Sequence, residues 1–263
     1  MSNVDDRLGA AVEISAGSAA GLAGQYIHKV LNFSAPTMNM PTQPDPANSP
    51  ERPSLQIDFV SDVACPWCAV GLNALDQAIA RVKDDIRVEM QFQPFELNPQ
   101  MGPEGEDSAE HLQRKYGMSD AQLAAARENL RRRGAEVGFA FGQRPRIWNT
   151  FDAHRLIHWA GLHGQQHAMK HALLQAYQAD DRNPGDRAVL MDCARQCGLD
   201  EQEAARVFDS GAYTDEVRQA QAMWRDAGIN SVPSIVINGR HLIQGGQPVE
   251  VFEQALRQLA QAA

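Results

Sequence analysis

The pattern of apolar and polar positions becomes regular at Leu55. Leu55-Gln56-Ile57-Asp58-Phe59-Val60 alternates between the two kinds and is rich in β-favouring residues, which predicts a strand. After a short loop, Val70, Ala74, Leu75, Ala78, Ile79 and Val82 recur at helical spacing, so a helix is predicted over Cys65–Val82. Ile86-Arg87-Val88-Glu89-Met90-Gln91-Phe92 alternates again and predicts a second strand. The chain thus opens as a βαβ unit with a pair of cysteines at its first strand-to-helix turn.

From Pro99 to about Gly228 no strand pattern is seen. Segments near 106–116, 119–137, 150–161, 165–179, 186–197, 200–209 and 213–227 read as helices. Gly117, Gly138, Gly164, Gly198 and Gly211 punctuate them, as helix ends often require. Pro233–Asn238 then reads as a strand. Asn238-Gly239 is a two-residue hairpin signal, Arg240–Gln244 returns as the partner strand, and 248–261 is amphipathic and helical. The expected fold class is α/β: βαβ, an all-helical insertion over about 100–228, then ββα, sharing one sheet. Residues 1–53 read differently. Residues 36–53 hold six of the chain's 14 prolines, which excludes a continuous helix or central strand there. We expect 1–53 to be a mobile extension, with Met38 and Met40 as alternative starts, and 54–263 to be the folded domain.

Composition narrows the classes of function. The 263-residue chain carries 24 basic and 33 acidic residues, a net charge of −9, with 43% apolar and 22% charged residues. Such a balance fits a globule that buries its own core and argues against a phosphate-backbone partner. No run of eighteen apolar residues could span a bilayer. Asp5 and Asp6 precede an interrupted apolar stretch, so a secretory signal is not expected, and the default is a cytoplasmic protein. Four cysteines are too few for a disulfide scaffold, and their arrangement as two close pairs points to redox or metal chemistry.

Cys65-Pro66-Trp67-Cys68 is the strongest signal. A C-x-x-C at a strand-to-helix turn reads as a thioredoxin-like redox motif. The free N–H groups and dipole of a helix start favour a negative group there and can lower a thiol pKa. Cys65 is therefore expected to attack and Cys68, one turn deeper, to resolve the mixed disulfide. Pro66 suits the first helical position, and Trp67 is expected at the rim around the sulfur. The competing reading is a zinc site completed by Cys193 and Cys197, but such sites normally draw their pairs from turns rather than from helices. Ser231-Val232-Pro233-Ser234 is the second signal, a proline at a strand start whose backbone could pair with an extended substrate.

These residues carry a resemblance. The CPWC turn, the Val232-Pro233 strand start and the helical insertion resemble the DsbA-like thioredoxin superfamily over about 55–260. Gln93–Pro99, Asn149–Leu156, Gly228–Pro233, and Gly245-Gly246-Gln247-Pro248 with Phe252 are similar to its FrnE-like branch. Ala69-Val70-Gly71 departs from that branch, where an aromatic is usual after the second cysteine. The resemblance implies a thiol–disulfide oxidoreductase with Cys65, Cys68 and a cis Pro233 at its centre. It also implies a substrate groove involving Pro66, Trp67, Val232, Asn149 and His154. No tightly bound cofactor is implied, and the partners are disulfide- or thiol-bearing proteins or glutathione, for a monomer or homodimer. The branch borders glutathione-dependent 2-hydroxychromene-2-carboxylate isomerases and kappa-class glutathione transferases, which usually carry serine where Cys65 stands. That isomerase or transferase activity is the alternative function, and a zinc-held binding module the second.

Other residues change this picture little. Cys193 and Cys197 share a helical face and read as packing residues or as an auxiliary redox pair. His154 and His158, and separately His163, His167 and His171, repeat at four- or five-residue steps that suit metal ligation. No carboxylate is an obvious third ligand, so they are read as solvated or hydrogen-bonded and no metal is expected. Arg131-Arg132-Arg133 reads as a solvated face. Trp148, Trp159 and Trp224 are assigned to the insertion without a choice between its core and its groove side.

Overall fold

The computed structural model describes residues 52–262; the extension read over 1–53 lies outside them except for Arg52 and Pro53. Strands β1 (Ser54–Ser61), β2 (Arg87–Pro94), β5 (Ser234–Ile237) and β6 (His241–Gln244) form one sheet in the order β2-β1-β5-β6. β1 pairs parallel to β2, from Ser54↔Arg87 to Ser61↔Pro94, and antiparallel to β5, from Ile57↔Ile237 to Val60↔Ser234. β1 is therefore central, and both of its faces are covered. Leu55, Ile57 and Phe59 join the main core, whereas Val60 joins Phe95, Trp224, Ile229, Val236 and Leu242 on the other face.

Helix α1 (Pro66–Val82) crosses from β1 to β2, and α9 (Val249–Ala260) packs beside it. The insertion contributes α2 (Ser108–Tyr116), α3 (Asp120–Glu136), α4 (Phe151–Leu162), α5 (Gln166–Leu174), α6 (Arg187–Gln196), α7 (Glu201–Ser210) and α8 (Thr214–Asp226). These bounds follow the apolar periodicity closely because each helix buries one stripe. Met169, Leu173 and Leu174 of α5, for example, are fully buried in the main core. Side-chain caps fix several starts: Asp107 for α2, Asp186 for α6, Asp200 for α7, and a reciprocal Ser119–Gln122 capping box for α3. No helix among the described residues is long and apolar enough to cross a membrane.

Three details differ from the sequence expectation. The insertion contains a two-residue ladder, β3 (Glu106–Asp107) with β4 (Arg146–Ile147), too short to produce an alternating pattern. α5 runs on into a single π turn over Gln175–Ala179. The last hairpin closes over three residues rather than two. Asn238 and Gly239, with φ of 52° and 64°, make the expected left-handed turn, but the ladder resumes only at Ile237↔His241.

The edge strand β2 is covered in an unusual way. The Gln166 side chain donates from Nε2 to the Phe92 carbonyl at 3.2 Å, and its Oε1 accepts from the Phe92 N–H at 3.0 Å. One amide thus substitutes for a neighbouring strand and pins the start of α5 to the sheet edge.

Candidate active site

Cys65 is the residue before helix α1, with an extended φ of −85° and ψ of 114°, and Pro66 takes the first helical position. Its N–H donates to the Asp62 carbonyl at 3.2 Å, and the Cys68 N–H donates to the Cys65 carbonyl at 3.1 Å. The Val232–Pro233 peptide bond is cis, and the Cys65 Sγ donates to the Val232 carbonyl at 3.4 Å. Cys65, Cys68, Pro66, Trp67, Val232 and Pro233 are therefore brought to one place, with Trp67 and Val232 half-buried beside Cys65.

The two thiols are strongly unlike. A hydrogen bond from the Cys68 thiol, assisted by the N–H groups of Cys68 and Trp67, lowers the Cys65 pKa against its burial and the charge of Asp62. Burial, reinforced by Cys65, pushes Cys68 well above the ordinary thiol range. Reduced protein should therefore react with iodoacetamide at Cys65, with a rate that rises with pH and levels off below the ordinary thiol value of about 8.5. Cys68 should stay unmodified over that range. Peptide mass analysis across a pH series checks both, and a Cys65 rate still climbing above pH 9, past that ordinary value, would contradict the assignment.

Beneath the cysteines lies a polar cluster that the sequence did not reveal. Asp62 is 1% exposed. Its carboxylate accepts from Ala64 N–H at 3.1 Å, Leu97 N–H at 2.7 Å, Thr150 Oγ1 at 2.7 Å and His154 Nε2 at 3.4 Å. Burial alone would raise the Asp62 pKa; the hydrogen bond and charge of His154, then Leu97 and Thr150, bring it below the ordinary value. Lys170 of α5 is equally buried. Burial lowers its pKa while Cys68, Asp62 and Cys65 act to raise it. Gln178 donates to the Val63 carbonyl at 2.6 Å and fixes the loop between β1 and α1 from below. The one readable signal was Lys170, which falls in the apolar stripe with Leu173, Leu174 and Tyr177.

His154 and Asn149 are corrected as groove residues. His154 is buried and spends its Nε2 on Asp62. Asn149 donates to the Met101 carbonyl at 3.0 Å and accepts from the Phe151 N–H at 2.8 Å, so both polar atoms of its side chain are used internally. From the insertion, Tyr116 and Arg144 come within electrostatic reach of Cys65. Burial and then Cys65 push the Tyr116 phenol up, and Cys65 is among the groups that support the charge of the half-buried Arg144 against desolvation.

Close backbone approach holds the site together. A Cβ on Gly71 would meet Pro233 Cγ at 3.1 Å and Gly246 Cα at 3.3 Å; one on Gly246 would meet the Trp67 carbonyl at 3.1 Å. The Gly71 position after the CPWC turn is thus where helix, cis-proline segment and Gly245-Gly246 loop touch. Arg133 reinforces that loop by donating to the Gly246 carbonyl at 3.0 Å, so only Arg131 and Arg132 of the arginine run behave as a solvated face.

Over residues 56–257 the chain matches the family described as the DSBA-like thioredoxin domain. The chain belongs to that family. The uncharacterized protein YwbO of Bacillus subtilis (strain 168) is 30% identical over 205 residues, which cover 77% of this chain and 96% of that protein. A crystal structure described as a probable DsbA oxidoreductase from Streptomyces coelicolor is 35% identical, with a TM-score of 0.73 over 79% of this chain and 90% of its own. Two more distant structures share the fold. A 2-hydroxychromene-2-carboxylate isomerase is 14% identical, with a TM-score of 0.61 over 79% of this chain and 97% of its own. The cytosolic disulfide reductase DsbM of Pseudomonas aeruginosa, solved with GSH, is 18% identical, with a TM-score of 0.55 over 78% of this chain and 98% of its own. The resemblance read from the CPWC turn and its companion motifs is therefore to the right family.

In this DSBA-like chain the second cysteine pair stands apart. Cys193 is buried and its thiol is pushed up to about 12 by desolvation, and burial also raises Cys197. Neither thiol is lowered in pKa as that of Cys65 is. The pairs do not gather into a four-cysteine zinc site, because among the described residues the group of metal-capable side chains lies elsewhere. Trp159 and Trp224 are buried, Trp148 meets Tyr177 edge-to-face at 5.5 Å, and His158 and His163 lie against Tyr213 and Trp159 at 5.1 and 5.0 Å.

Proposed function

We propose that this protein is a thiol–disulfide oxidoreductase whose working pair is Cys65 and Cys68. The observation that carries the reading is the split between the two thiols. One, lowered in pKa, stands at a helix start 3.4 Å from the Val232 carbonyl; the other is held protonated behind it. The Cys65 thiolate attacks one sulfur of a substrate disulfide, forms a mixed disulfide and expels the second substrate sulfur as thiolate. Cys68 then loses its proton and attacks Cys65 Sγ, so that the first substrate sulfur leaves and the Cys65–Cys68 disulfide forms. The substrate gains two electrons and the enzyme loses two; glutathione, going from two thiols to its disulfide, returns them. The same steps in reverse donate a disulfide. The backbone at Val232-Pro233 offers an extended peptide its strand-like hydrogen bonds, and glutathione is short enough to use the same edge. The glutathione-bound DsbM relative supports that choice of partner, and a glutathione-recycled enzyme suits the cytoplasm.

A redox titration in glutathione buffers, quenched by alkylation and followed peptide by peptide, tests the reading. An intramolecular Cys65–Cys68 disulfide is expected. A midpoint of about −120 to −180 mV marks a disulfide donor or isomerase, and one near −270 mV a reductase. Absence of that disulfide at every poise would refute the mechanism and favour the glutathione-dependent isomerase or transferase.

A further inference from the structure

Away from the cysteines, three side chains from two elements converge. Asp76 lies on α1, and His167 and His171 lie one turn apart on α5. His167 Nε2 is 2.9 Å from Asp76 Oδ1, and His171 Nε2 is 2.7 Å from Asp76 Oδ2, across 91 and 95 residues of sequence. The ligand-capable atoms of all three lie within 4.8 Å of one another. The histidine spacing alone lacked a third ligand. The fold supplies it, as a carboxylate on the neighbouring helix.

We propose that Asp76, His167 and His171 form a binding site for a zinc-class divalent cation that ties the active-site helix to the helical insertion. Two imidazole nitrogens and one carboxylate oxygen are the donor set of an open tetrahedral zinc site, with bonds of about 2.0–2.2 Å and so a ligand separation of about 3.3 Å. The two histidine–carboxylate separations, 2.9 and 2.7 Å to the two Asp76 oxygens, would open by a few tenths of an ångström, and the imidazole nitrogens, which lie within 4.8 Å of each other, would settle to about 3.3 Å around an ion held by one of those oxygens. The side chains of Asp76, His167 and His171 are 27%, 52% and 32% exposed, which leaves a path for the ion and room for water as the fourth ligand. The frame behind them is rigid. Gln166, immediately before His167, is clamped to Phe92 of β2, and the Phe92 ring lies 5.7 Å from the His167 ring. Asp76 sits eleven residues beyond Cys65, roughly 16 Å along a helix at about 1.5 Å per residue, so the ion would not be a ligand of the redox pair.

Zinc also binds thiolates, so the test must separate the two. The full-length protein, His167→Gln, His171→Gln, Asp76→Asn and Cys65→Ser are titrated with Zn2+ against a chromogenic chelator. One equivalent is expected in the parent and in Cys65→Ser, with affinity lowered at least about tenfold by each change at the three ligands. In saturating Zn2+, about 100-fold above its Kd, the parent Tm should rise by about 5–10 °C, and this rise should vanish in His167→Gln. Disulfide exchange without metal should be unchanged in His167→Gln, whose half-exposed ring makes it the variant surest to fold. Unaltered zinc affinity in His167→Gln and His171→Gln, loss of binding in Cys65→Ser alone, or no uptake by the parent in large molar excess would each overturn the proposal.

Discussion

Cys65→Ser should abolish thiol–disulfide exchange, a loss on the order of 10^3-fold or more, because a serine hydroxyl cannot form the mixed disulfide on which every later step depends. Cys68→Ala should act differently. The Cys65 thiolate still attacks, but nothing resolves the adduct, and the protein accumulates as a mixed disulfide with glutathione or with a protein substrate. Non-reducing gels and intact mass read both outcomes in one experiment. Cys65 should be the sole site of the adduct, since Cys193 and Cys197 are held protonated by burial. Full turnover by Cys65→Ser would refute the assignment; full turnover by Cys68→Ala would mean that an external thiol performs the second step. Because Cys68 supplies the hydrogen bond that most lowers the Cys65 pKa, Cys68→Ala should also shift the alkylation profile of Cys65 to higher pH.

The second large effect is on stability. Asp62→Ala should cost about 3–5 kcal/mol, the range for removing one partner from a buried charged cluster. It strands the Thr150 hydroxyl and the Ala64 and Leu97 N–H groups, and leaves His154 and Lys170 without their carboxylate. Urea denaturation should show a lower midpoint with little change in slope. The pH dependence has a definite sign. The Asp62 pKa is depressed in the folded state, so its contribution is complete above the unfolded carboxylate value of about 3.9 and is lost as pH falls through the lower folded value. The stability gap between the parent and Asp62→Asn should therefore be constant at neutral pH and close only in strong acid. A gap that closed as pH rose would show that Asp62 is buried as the neutral acid.

Most of the architecture was legible because each element buries a single face, and burial imprints a period on the sequence. β1, α1 and all seven helices of the insertion followed from it. The meeting of the cysteine turn with the proline segment was legible too, since Cys65-Pro66-Trp67-Cys68 and Val232-Pro233 each carry their signal within four residues. The polar floor of the site was not. Asp62, Thr150, His154 and Lys170 come from β1's end, the start of α4 and the middle of α5. Only the folded chain places a carboxylate from one element against donors from the others. The same limit explains why His154 and Asn149 read as groove residues: a polar side chain in a family-like segment looks alike whether it faces a substrate or a buried aspartate. It also explains why His167 and His171 lacked their third companion until α1 was laid against α5.

The sheet order β2-β1-β5-β6 also has a consequence for how the protein is made. Gln56 of β1 donates its N–H at 2.9 Å to Asn238 Oδ1, just past the end of β5, although the two are 182 residues apart. At a ribosomal pace of about 5–20 residues per second, the two strands that complete the sheet emerge roughly 10–35 seconds after β1. Throughout that interval β1 can pair with β2 but has an open edge on its other side, and the whole helical insertion must be synthesised before that edge is closed. The nascent chain is thus exposed to mispairing just where its central strand lies, which makes its birth, rather than its finished state, the stage at which a chaperone would matter most.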